Sequence, residues 1–160
     1  MTATYDCIAT TTLGSDTATV TFSSISGSFT DLVLVASYKR SVSGNGIVKI
    51  NSDTGSNYSY TYLLGDGSSA SSARSANRAN AIVSYDSADL QETLLVNFFN
   101  YSNTTTNKTL ISRGNDTGLG VISYINLWRS TSAITSIEIY PNSGNWRSGS
   151  TFTLYGIKSE

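Results

Sequence analysis

The chain has 160 residues, with 10 Lys and Arg against 11 Asp and Glu and no histidine. It is the length of one domain, and a net charge of −1 gives it no field to draw in a polyanion. Without imidazole there is no Ser-His-Asp triad, no Cys-His pair and no histidine metal site, and the lone Cys7 forms no intrachain disulfide. Charged residues make up only 13% of the chain, against about 25% in an average domain. The polar surface is therefore built from uncharged groups, and Ser, Thr, Asn and Gly together account for 75 residues. Ten Tyr, five Phe and two Trp, with regularly spaced Val, Ile and Leu, argue for a buried core rather than disorder. A chain of this length hides roughly 70% of its extended surface, which suffices without disulfides or metal.

Apolar residues recur with period two along most of the chain, the signature of half-buried strands. Tyr5–Thr12 comes first, then Thr17–Phe22, where Ala18, Val20 and Phe22 share one face and threonines the other. Leu32–Val35 is apolar on both faces, as is Leu94–Val96, which suits central strands of a packed or oligomeric sheet. Ser43-Gly44-Asn45-Gly46 holds an Asn-Gly pair and predicts a tight hairpin turn. Ile47–Asn51, Tyr58–Tyr62, Ala81–Tyr85, Asn107–Ser112, Val121–Trp128, Thr135–Tyr140 and Thr151–Ile157 continue the series. Between them, Ser68–Arg78 has no large apolar residue and predicts a long surface loop with room for one helical turn. Asp86–Glu92 is a second loop, and Gly114-Asn115-Asp116 and Pro141-Asn142-Ser143-Gly144 read as turns. These ten or eleven strands predict one all-β, antiparallel sandwich or barrel domain over residues 1–160.

Candidate sites are few. Asn51-Ser52-Asp53-Thr54-Gly55-Ser56-Asn57 alternates oxygen ligands like part of a calcium loop, but it lacks the bidentate Glu and reads as a structural turn; Asp66 in Gly65-Asp66-Gly67 reads the same way. Glu92, Glu138 and Glu160 with eight Asp offer no facing pair of carboxylates, and no acid, base and nucleophile can be assembled from the spacings. The sequence therefore predicts no enzyme, no cofactor and no metal. Cys7, without a basic neighbour, reads as a small buried residue. Trp128 is in phase with Ile122 and Tyr124 and belongs to a core or subunit interface, whereas Trp146, in a Gly-flanked loop beside Arg147, is the better contact residue. Arg74 and Arg78 are too few to bind nucleic acid; they suit bidentate contacts to carboxylates of a neighbouring subunit. Five Asn-x-Ser/Thr triplets occur about as often as chance supplies in so Asn-, Ser- and Thr-rich a chain. Met1–Asp6 has no signal-peptide features, and no stretch approaches the roughly 20 apolar residues of a membrane span, so synthesis in the cytosol without membrane insertion is expected.

Several stretches resemble a family of small structural proteins from tailed bacteriophages. They are Ile8–Gly14, Val20–Ile25, Phe29–Val35, Asn51–Tyr60, Gly65–Ser69, Trp128-Arg129-Ser130, Ile134–Ile137 and, most distinctively, the closing Thr151-Phe152-Thr153-Leu154-Tyr155-Gly156-Ile157. The likeness covers most of the chain. It implies a jelly-roll-like β-sandwich, a place in the virion after assembly in the bacterial cytoplasm, and no catalytic residues. Two roles fit. The first is a capsid decoration, or cement, protein that associates with itself as a homotrimer and binds the major capsid protein. The second is a tail-fibre, tail-tip or head-fibre module that binds a host surface glycan through Trp146. Shortness and the absence of a fibrous repeat favour the first.

Overall fold

The computed structural model describes residues 4–158, so Met1–Ala3, Ser159 and Glu160 lie outside the described residues. Among the described residues there are twelve strands and no helix. In chain order they are β1 (Tyr5–Thr12), β2 (Val20–Phe22), β3 (Asp31–Tyr38), β4 (Gly44–Ile50), β5 (Tyr58–Gly65), β6 (Ala70–Arg78), β7 (Ala81–Asp86), β8 (Glu92–Phe99), β9 (Lys108–Asp116), β10 (Gly120–Trp128), β11 (Ile137–Pro141) and β12 (Thr151–Ile157). They form an eight-stranded sheet, β1-β12-β3-β8-β9-β10-β5-β6, and a four-stranded sheet, β2-β11-β4-β7. Every pairing is antiparallel. The fold is the jelly-roll-like β-sandwich expected, with no helix long and apolar enough to cross a membrane among the described residues.

Period-two patterning explains the core. On β3 and β8, Leu32, Leu34 and Ala36 face the same way as Phe98, Val96 and Leu94 opposite them and meet Phe22, Val48, Ile50, Ile137 and Ile139 from the smaller sheet. The two-sided apolar runs Leu32–Val35 and Leu94–Val96 do lie side by side in the middle of the large sheet. Tyr38, Trp146 and Phe152 close one end of this core, with Trp146 edge-on to Tyr38 at 4.9 Å.

Four sequence expectations are corrected. Ser68–Arg78 is no loop: Ala70–Arg78 is edge strand β6, paired with β5. Its Ser and Ala residues have no large apolar partner because nearly all of them are exposed, so it lacks the alternation that marks a half-buried strand. Ser43-Gly44-Asn45-Gly46 closes no hairpin; Gly44–Gly46 lie within β4. These glycines serve close approach instead: a Cβ on Gly46 would strike Ser84 Oγ, and one on Gly44, at φ +149°, would strike the Asn142 side chain. Gly114-Asn115-Asp116 is likewise the end of β9, with the turn following at residues 117–119. Cys7 is exposed, because it faces outward on β1 just before a bulge.

Trp146 is wholly buried, and its indole N–H donates to the Ile139 carbonyl at 3.3 Å. Removing so large a core side chain costs about 3–5 kcal/mol. Trp146→Ala is accordingly expected to lower the urea unfolding free energy by about that amount with an unchanged m-value; a loss within about 0.5 kcal/mol would place the residue at the surface.

Candidate functional site

The smaller sheet stops at β7, whereas the larger sheet continues through β9, β10, β5 and β6 and curls past that edge, so β10, β9 and β5 all contact β7. Three surfaces result: a buried polar centre at the sandwich end, a cleft beside the β7 edge, and the outer face of the larger sheet.

At the polar centre, the Arg40 guanidinium has no solvent exposure. It donates to the carbonyls of Val42 and Gly44, to Asn142 Oδ1 at 2.9 Å and to Asp86 Oδ2 at 3.4 Å, and it lies 5.9 Å from the Trp146 ring centroid. Asp86 also accepts from Tyr38 Oη at 2.8 Å and Ser84 Oγ at 2.7 Å. Burial raises the Asp86 carboxyl above its ordinary range despite these donors, and burial also pulls Arg40 down. Both shifts point the same way: the environment resists charge and the pair persists through its hydrogen bonds. Glu92 is buried nearby, held by the Thr117 N–H and hydroxyl, and is likewise raised by burial.

In the cleft, β5 and β10 present Tyr60, Tyr62 and Tyr124 toward Ile82 and Tyr85 of β7. The cleft holds about 360 Å³. Tyr60 and Tyr62 lie 5.6 and 5.5 Å from Tyr124, ring centre to ring centre.

On the outer face, register places Val121, Ile125 and Leu127 of β10 beside Leu63 of β5 and Ile111 of β9. Val121 is 65% and Leu63 56% exposed. Arg74 and Arg113 stand over two shallow depressions on this face.

The sequence-derived candidates disperse. Trp146 is core and offers no contact surface. Arg147 spends its guanidinium within its own chain, on Asp89 (2.8 Å) and Asp16 (2.9 Å), which holds the arginine firmly charged. Arg74 and Arg78 do not act together: a bulge in the β5–β6 register sets Arg74 opposite Thr61 and Arg78 opposite Tyr58, on opposite faces. Trp128 is buried as expected, its N–H donating to Asp53 Oδ2 at 2.6 Å. That bond, with Gly55 N–H and Asn57 Nδ2 on the same carboxylate, lowers Asp53 and makes its loop a structural turn. Asp66 caps Ser68 and Ser69 in the same manner. Among the described residues no cluster of acidic, Cys or His groups could hold a metal. Sequence reasoning missed the tyrosine cleft; its one trace was the alternating Tyr58-Ser59-Tyr60-Thr61-Tyr62, read only as a strand.

No family model and no curated protein matches the chain. Among solved structures, the chain is similar to a mutant alginate lyase in complex with an alginate tetrasaccharide, at 9% identity over 94% of this chain and 80% of that one, with a TM-score of 0.39. The expectation that the chain is no enzyme is withdrawn on this finding, since the protein it is similar to is one. At that TM-score the likeness assigns no activity, substrate or residue role.

A titration follows from the buried acid. Because the folded-state pKa of Glu92 is raised, the folded protein holds that proton longer than the unfolded chain, and stability is lost as pH rises from the ordinary carboxylate range through the folded value. Glu92→Gln should therefore gain stability relative to the natural chain as pH rises from about 4.5 to 7.5, read by urea unfolding at each pH. A difference that stays constant, or moves the other way, would contradict the assignment.

Proposed function

We propose that the chain is a structural component of a tailed-phage virion, a capsid decoration protein that assembles as a homotrimer and binds the major capsid protein. The resemblance of its closing Thr151–Ile157 segment and other stretches to phage structural proteins supports the class. The observation that carries the docking role is the outer face of the eight-stranded sheet. Eight strands about 4.8 Å apart and roughly eight residues long make a face of roughly 1,000 Å², enough for the ~800 Å² per partner of a standard interface.

Its make-up suits such a contact. Exposed Leu63, Val121 and Ile125 form an apolar patch on β5 and β10, arginine rather than lysine flanks it, and Thr10, Thr12, Thr151 and Thr153 supply a hydroxyl margin at the opposite edge. A three-fold ring closes a heterologous contact, and many copies on a shell add individually weak contacts into firm attachment. The host-glycan module keeps no support from Trp146, which is buried.

Purified virions should carry this chain in copy numbers rivalling the major capsid protein, with antibody labelling on heads; a handful of copies confined to the tail would overturn the reading. In the isolated protein, Val121→Glu should abolish self-association in sedimentation velocity while the melting temperature holds.

A further inference from the structure

Four of the ten tyrosines gather around the cleft beside β7, and their hydroxyls differ from those of the main core. Those of Tyr38, Tyr58 and Tyr101, in the main core, each find a partner: Asp86 with Ser84, the Ile50 backbone, and the Ser26 carbonyl. Those of Tyr60, Tyr62, Tyr85 and Tyr124 around the cleft make no hydrogen bond to the protein's described residues. Left free by the protein and open to the cleft, these four hydroxyls are available to a ligand in one concavity.

The lining sets the class of ligand. Rings supply apolar faces, phenols and the Asn45 amide supply neutral donors and acceptors, Ile82 and Ile122 supply the floor, and no lining residue carries a formal charge. Burial, reinforced by Tyr60 and Tyr62, holds the Tyr124 phenol protonated as a donor. Volume falls within the roughly 300–1,000 Å³ of small-molecule sites. A peptide adding as a strand would need the free edge of β7, but the Ile82 carbonyl on that edge already accepts from Asn126 Nδ2 at 2.8 Å. A phosphate or polyuronate would need a cation that the cleft does not present.

We propose that this cleft is a binding site for a neutral carbohydrate, with Tyr62 and Tyr85 stacking on sugar faces and the Tyr60 and Tyr124 hydroxyls and Asn45 reading its hydroxyl groups. The proposal is independent of the virion role, since strand alternation points Tyr60, Tyr62 and Tyr124 to the opposite side of the sheet from Leu63, Val121 and Ile125.

Isothermal titration of the full chain with maltohexaose, cellohexaose and laminarihexaose, and with a uronate tetrasaccharide, tests it. At least one neutral hexaose should bind with sub-millimolar affinity and the uronate should not. Tyr85→Ala, at a residue 41% exposed, and Tyr62→Ala should each weaken binding by roughly tenfold, about 1.4 kcal/mol, and Tyr85→Ala should do so with an unchanged melting temperature. Tyr62→Phe, which keeps the ring, should bind more tightly than Tyr62→Ala. No heat with any neutral hexaose at about 5 mM, preference for the uronate, or binding indifferent to both alanine variants would overturn the proposal. Val121→Glu, on the other face, should leave binding intact.

Discussion

A full positive charge sits in the dry end of the sandwich. Arg40 emerges from the end of β3 and reaches under Trp146 to bind two carbonyls leading into β4, the Asn142 side chain beyond β11 and the Asp86 carboxylate ending β7. Segments from both sheets thus share one hydrogen-bonding centre, roofed by an indole whose residue bridges the backbones of Thr17 and Arg40. An isolated buried guanidinium would cost several kcal/mol, so the fold that contains it must keep all these acceptors in place. That requirement accounts for the glycines at 44 and 46, because any side chain there would displace Asn142 or Ser84.

The functional surfaces depend on this centre. Asp86 and Ser84 are fixed by Tyr38 and Arg40, and between and beside them Tyr85 and Ile82 point the other way, into the cleft. Asn45, whose N–H donates to Asn142 Oδ1 at 2.9 Å, is placed by the same side chain that Arg40 holds. The cleft therefore has one wall set by the buried charge and one by the curl of β5 and β10. The outer sheet face owes its even spacing of side chains to the unbroken register of β9, β10 and β5.

Much of the fold was legible in the sequence, and where it was not the reasons are specific. Thr151–Ile157 is a strand with the expected limits because alternation runs its whole length, and Tyr5–Thr12 keeps the expected limits although a bulge between Cys7 and Ala9 interrupts its alternation. β6 escaped detection because an edge strand exposed on both faces has no apolar period to read. Asn45-Gly46 carries a hairpin's composition, yet its glycine answers a steric demand from Ser84, a residue far away in sequence. Trp146 looked exposed since its neighbours are Gly, Asn, Arg and Ser; burial came from Tyr38, Phe152 and Arg40, which no local pattern announces. Tyrosines of the cleft stood in plain alternation, but whether a phenol is partnered is a tertiary fact.

Unfolding free energies of Arg40→Met, Asp86→Leu and the double variant test the central claim, that one hydrogen-bonded buried charge centre joins the two sheets. Each single substitution should cost about 3–5 kcal/mol, because each strands the other's polar group, and the double variant should cost clearly less than their sum. Strict additivity, or single losses below about 1 kcal/mol, would contradict it.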